Sequence, residues 1–136
     1  MSGTRSGEMF RFNKGDVVQE FGYDDDVDFD FRDRVEALIG EELEDEDFRG
    51  VADAVIAWWR SDDGDVDDLT DYLVDCAAAL DSGAGDIWLS VPAAGSQFHV
   101  SASDVDEAAK TAGQSVTTSA GLKNGWTAFH IISRGR

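Results

Sequence analysis

Apolar positions along this chain alternate between two rhythms. Short runs that are continuous or alternate in polarity mark strands, and steps of three and four mark helices. Val17, Val18 and Phe21 follow the Lys14-Gly15-Asp16 turn and predict a first strand, which Gly22 ends. Phe31, Val35, Leu38 and Ile39 then recur at helical spacing. Asp30 is placed as the N-cap, Asp33 in the first turn, and the end near Leu43. Phe48 and Val51 are read as one further turn. Residues 54–59, Ala-Val-Ile-Ala-Trp-Trp, form an unbroken apolar run that fits a strand covered on both faces. Val66, Leu69, Leu73, Cys76, Ala77 and Leu80 predict a second helix, capped by an aspartate of the 62–65 loop and stopped at Gly83.

Residues 87–91 read as a third strand that Pro92 terminates. Ser103 is placed as the cap of a third helix with Val105, Ala108, Ala109 and Ala112 inward. A fourth strand spans 115–119. Asn124-Gly125 is a hairpin signal, and residues 126–132 form a fifth strand that is mostly apolar on both faces. Alternating strands and helices imply parallel pairing by right-handed crossovers. The expected fold is therefore α/β, a reduced Rossmann-like three-layer sandwich. Its five-stranded, mostly parallel sheet has the order 1-2-3-5-4, with strand 5 antiparallel. Residues 1–12 read as a flexible arm and residues 13–136 as a single α/β domain.

Charge changes the picture next. Of the 136 residues, 29 are acidic and 11 basic. Residues 16–86 hold 25 of the acids and 4 of the bases, so the negative charge belongs to one segment. A basic footprint for nucleic acid or an anionic membrane is lacking, and neither is expected as a direct partner. One cysteine rules out an internal disulfide framework. No apolar run reaches the ~18 residues of a membrane span, and no signal-peptide pattern opens the chain.

The order of elements from residue 54 onward resembles the end of a class I, Rossmann-like methyltransferase, and Lys14-Gly15-Asp16-Val17-Val18 resembles the lead into that family's first strand. Two departures stand out. The family's cofactor turn is Gly-rich, so that backbone can approach the ligand, whereas here it reads Phe21-Gly22-Tyr23-Asp24-Asp25-Asp26. The family also has two more strands before the one resembled by residues 54–59, and they would carry the acid that holds the cofactor ribose. At closer range, residues 15–26, 58–65 and 87–89 resemble a small, acidic actinobacterial family of unknown function. That resemblance implies a cytoplasmic bacterial protein and carries no catalytic residue over.

Other chemistry is absent as pattern. The acidic runs miss the glycine and glutamate of a calcium loop: positions six and twelve are Phe29 and Val35 from Asp24, or Asp68 and Val74 from Asp63. His99, His130 and Cys76 have no pairing suited to zinc, and no metal site is expected. Cys76 lies on a helix stripe as a buried small hydrophobe. No nucleophile elbow and no phosphate loop occur, and no cofactor is expected.

Ligands of parallel sheets bind at the strands' carboxyl ends. Here those ends lead into Tyr23, Asp24, Asp25 and Asp26, and into Arg60, Asp62, Asp63 and Asp65. Such a mouth repels phosphates and favours a Lys/Arg-rich protein surface. These eight residues are the expected partner-binding set, and the expected function is a non-enzymatic interaction or regulatory protein. The alternative is a divergent methyltransferase-like or small-molecule-binding protein with an atypical pocket. The plainer reading of the acids is a solvated, solubilising face.

Overall fold

Burial on both faces is what a central parallel strand requires, and β2 (Ala54–Trp58) meets it with five buried residues in a row. In the computed structural model, which describes residues 12–135, β2 runs parallel to β1 (Val18–Phe21) and to β3 (Ala84–Pro92). β5 (Trp126–Arg134) pairs antiparallel with β3, and β4 (Gln114–Gly121) antiparallel with β5. The order is β1-β2-β3-β5-β4, as expected. β4 is the most exposed strand and closes one edge.

Among the described residues, three α-helices cover the sheet. α1 (Phe29–Ile39) packs Phe31, Val35 and Ile39 on one face, against Ile56, Trp58 and neighbouring Trp88 and Trp126. α2 (Val66–Ala78) and α3 (Ala102–Thr111) cover the other, joining Leu69, Leu73, Val105 and Ala108 to Val55, Ala57, Leu89 and Ile131. Cys76 is buried there, and burial pushes its thiol far above the ordinary range, which leaves it inert. The tryptophans thus serve the core, Trp58 meeting Trp126 edge-on at 5.0 Å between centroids. Residues 1–11 of the expected arm lie outside the described residues. Phe12, its last residue, is buried beside Trp88.

Several boundaries differ from expectation, each for a local reason. Asp28, not Asp30, caps α1. Its buried carboxylate accepts the Phe31 N–H at 3.0 Å, while Asp30 occupies the first turn. Gly40 ends that helix in the left-handed conformation (φ 75°), which removes the extension to Leu43. Ser101, not Ser103, caps α3 by accepting from Asp104 N–H. α2 stops at Ala79, before Gly83. Residues 48–51 form no helical turn.

The acidic run 41–47 does more than remain in water. Glu44 donates its N–H to Val18 O at 2.9 Å and accepts from Glu20 N–H at 2.8 Å, so its backbone pairs with β1. Gln19 Nε2 adds a bond to Asp45 O at 3.0 Å. Here the edge of the sheet is covered by charged chain that leaves its side chains outside, a way to block edge pairing.

Asp28 also accepts from Asn124 Nδ2 at 3.1 Å, tying α1 to the β4–β5 turn. Asp28→Ala is expected to lower stability by about 1–2 kcal/mol in chemical denaturation, as loss of a cap does. Asn124→Ala should cost less, because the cap survives.

Candidate functional site

Adjacent parallel strands end side by side, so the turns that follow β1 and β2 share one rim. Phe21 is in register with Ala57, and Gly22 through Asp28 then face Trp59, Arg60 and the 3-10 turn Ser61–Asp63. A guanidinium ties the two turns together. Arg60 is buried, donates Nη1–H to Gly22 O at 2.9 Å, and pairs with both oxygens of Asp26 at 2.5 and 3.1 Å. Its own N–H bonds Asp63 Oδ2 at 2.9 Å. The guanidinium lies 5.3 Å from the Trp126 ring centroid, and Trp126 Nε1–H donates to Asp26 O. The hydrogen bond from Arg60 holds the Asp26 carboxyl below its ordinary value of 3.8.

A second ion pair stands behind the rim. Glu20 is 4% exposed, and it takes Arg32 bidentately at 2.7 and 2.8 Å while accepting the Trp58 indole N–H at 2.9 Å. Three acceptor bonds on one carboxylate satisfy a charge that burial alone would make costly. Arg32 in turn lies 4.8 Å from the Tyr23 ring and 6.0 Å from the Phe29 ring, and those rings meet edge-on at 6.1 Å. The bond to Glu20 raises the Arg32 pKa further, so the cation is permanent.

The turn after β1 is closed by the chain itself. Gly22 has φ 77°, and a methyl added there would overlap the Trp58 carbonyl and the Tyr72 hydroxyl. Tyr72 donates to that carbonyl at 2.9 Å, and burial pushes its phenol far above the ordinary range. The Gly22 N–H, the donor that an anionic ligand would seek, already bonds Glu46 Oε2 at 2.7 Å. The turn thus differs from the open, Gly-rich cofactor turn of the methyltransferase fold: the space beside the Gly22 Cα is filled and its N–H is already bonded.

Of the eight expected residues, Tyr23, Asp24, Arg60 and Asp63 line one hollow with Gly22, Asp26 is paired with Arg60, and Asp65 lines another hollow with Val66 and Val100. Asp24, Asp25 and Asp62 are exposed, with Asp24 Oδ1 accepting from Asp25 N–H at 2.7 Å. Asp26, Arg60 and Asp63 are the clamp. Asp65 caps α2 by accepting the Asp68 N–H, in a reciprocal capping box. Tyr23 belongs with Phe29 and Arg32. Sequence reasoning missed Glu20, Phe29, Arg32, Glu46, Tyr72 and Trp126. One signal was readable, a glutamate inside a short apolar strand, because such a carboxylate needs a cation. Its partner twelve residues on followed from no pattern. The histidines lie elsewhere: His99 Nδ1 is 2.8 Å from Pro92 O, and His130 sits between Asp86 and Thr117 over Trp88. Among the described residues no group of three or more His, Cys, Asp or Glu is placed to hold a metal ion, and no helix is long and apolar enough to cross a membrane.

Comparison with known proteins agrees with this scaffold. Residues 7–135 match the family described as "Protein of unknown function (DUF3052)". An uncharacterised protein of Mycobacterium tuberculosis is 41% identical over 116 residues, covering 85% of this chain and 70% of the relative. An uncharacterised protein of Mycobacterium bovis matches to the same extent. Among solved structures, an O-methyltransferase from neocarzinostatin biosynthesis has a TM-score of 0.63 at 12% identity, over 96% of this chain and 53% of that one. Mitomycin 7-O-methyltransferase has a TM-score of 0.60 at 14% identity, over 97% and 54%. The likeness is one of fold, and the chain spans about half the length of these two enzymes.

Two measurements probe the clamps. Arg32→Met leaves Glu20 charged and buried, and is expected to lose about 2 kcal/mol in urea unfolding, less than a fully buried pair because Arg32 is partly solvated. The double variant Glu20→Leu/Arg32→Met should recover most of that loss. For Arg60 and Asp26 the readout is pH. A carboxyl depressed by folding stabilises the native state fully above its unfolded value and ceases to do so as pH falls through the folded value. The stability gap between wild type and Arg60→Met should therefore hold above pH 3.8 and narrow below it.

Proposed function

This chain belongs to the DUF3052 family, and we propose that it is a non-enzymatic interaction protein that presents its acidic carboxyl rim to a basic partner protein. The observation that carries this reading is the closed turn at Gly22. The place where a nucleotide-binding α/β protein opens its backbone to a ligand is filled here by Tyr72, the Trp58 carbonyl and the Glu46 carboxylate. What the rim offers instead is charge. Asp24, Asp25 and Asp62 project from adjacent turns that Arg60 locks together, so they act as one surface.

A fixed negative field speeds encounter with a Lys/Arg-rich surface and fades with salt. It also makes the docking role distinguishable from mere solubility, since a solubilising charge changes no association rate. Asp26, Asp63 and Asp65 contribute by holding the turns in place, and their replacement changes stability as well as charge. The regulatory element of the proposal lies in sequestering a basic surface that would otherwise meet an anionic target.

The test uses a basic partner recovered in stoichiometric amount from lysate. Its association rate is expected to fall at least about tenfold between low and high salt. Asp24→Asn/Asp25→Asn/Asp62→Asn should lower the low-salt rate and flatten the salt dependence, leaving stability within about 0.5 kcal/mol. Salt-insensitive association, unaltered in the triple variant, would leave only the solubility role. Calorimetry with S-adenosylmethionine addresses the enzyme alternative: binding tighter than about millimolar is not expected where the turn's backbone N–H is already bonded and the space beside Gly22 is filled, and micromolar affinity would favour that alternative.

A further inference from the structure

Beside the rim lies an open cleft walled by Tyr23, Leu43, Asp45, Glu46 and Asp47, with the Glu20–Arg32 pair at its back. Among the described residues lining it, the cation Arg32 is already neutralised by Glu20, and Asp45, Glu46 and Asp47 add negative charge. Tyr23 and Phe29 next to it are 49% and 43% exposed. Exposed rings at this density, fixed against each other and against a clamped guanidinium, are a preorganised patch rather than scattered apolar surface.

We infer that this aromatic patch and its acidic cleft form a receptor for an arginine side chain of the partner, selective for arginine over lysine. This rests on the acidic-rim reading above and adds the identity of the recognised group. Charge complementarity requires a cation. Geometry favours a planar one, because a guanidinium can stack on an aromatic face while its fork meets a carboxylate, whereas an ammonium is a compact, strongly hydrated point charge. The molecule makes this arrangement twice with its own chain. Arg32 pairs bidentately with Glu20 beside the Tyr23 ring, and Arg60 pairs with both oxygens of Asp26 beside the Trp126 ring. Arg32 already lies over the Tyr23 ring, so an incoming arginine meets the part of Tyr23 and Phe29 that stays exposed, with Asp45 and Asp47 lining the same cleft as Tyr23. Leu43 supplies an apolar wall for its methylene stem. In such a site the rings act as the anchor and the outer aspartates as the rim.

The experiment uses the full chain and three synthetic nonapeptides, alternating glycine with arginine, lysine or citrulline, titrated by NMR and followed by stopped flow. The arginine peptide should bind at least about threefold tighter than the lysine peptide, and the citrulline peptide, uncharged, should not bind. Tyr23→Leu and Phe29→Leu keep apolar bulk but remove the π-face. Each should weaken the arginine peptide about three- to tenfold, chiefly through faster dissociation, and abolish the preference over lysine. If arginine and lysine peptides bind alike, with salt-sensitive rates that neither leucine variant alters, the receptor is refuted and the acidic rim stands. If none of the basic peptides binds at low salt, the acidic-rim reading falls and the receptor with it.

Discussion

The guanidinium of Arg60 sits where three parts of the chain must meet, and their positions follow from how it is satisfied. Its fork takes Asp26 from the turn after β1, one nitrogen takes the Gly22 carbonyl, its own backbone N–H is held by Asp63, and its plane rests beside Trp126 at the start of β5. A cation this buried tolerates no missing partner. The turns after β1 and β2 are therefore not free to open independently. A turn that supports a ligand would have to move away from the residues that now complete it, and the same bonds fix the exposed aspartates relative to one another.

The sheet shows how a methyltransferase-like order works with fewer strands. β1 ends the sheet on one side, and the chain covers that edge with the backbone of Glu44 and the side chain of Gln19. The covering segment is dense in acid, so it stays hydrated while its peptide groups pair. It also brings Glu46 to the Gly22 N–H. Edge protection and closure of the turn are thus one structural solution, and the acidity that looked like surface composition is partly the means of it.

Residues 54–58 and the doubly apolar fifth strand made the strand order legible from sequence, because only interior strands are covered on both faces. Helix ends were less legible. Asp28 and Asp30 are chemically alike, and only the direction of the chain entering α1 decides which carboxylate reaches a free N–H. The rim was found by the rule that parallel strands end together, yet the roles within it were hidden. Asp26 and Asp62 read identically as letters, and both are exposed, yet Asp26 is held by Arg60. The Glu20–Arg32 pair spans a turn and the start of a helix, a separation with no period to betray it.

The central claim is that this edge of the sheet receives a basic protein surface rather than a cofactor. Residue-resolved NMR of the full chain tests it most directly, with an arginine-containing peptide and S-adenosylmethionine titrated in turn. The account predicts peptide-induced shifts confined to Tyr23, Asp24, Asp25, Phe29 and Asp62 and their neighbours, suppressed by salt, with no saturable shift of Gly22 or Tyr72 on adding the cofactor. Saturable cofactor shifts at Gly22 and Tyr72, with the peptide leaving the rim unperturbed, would contradict it.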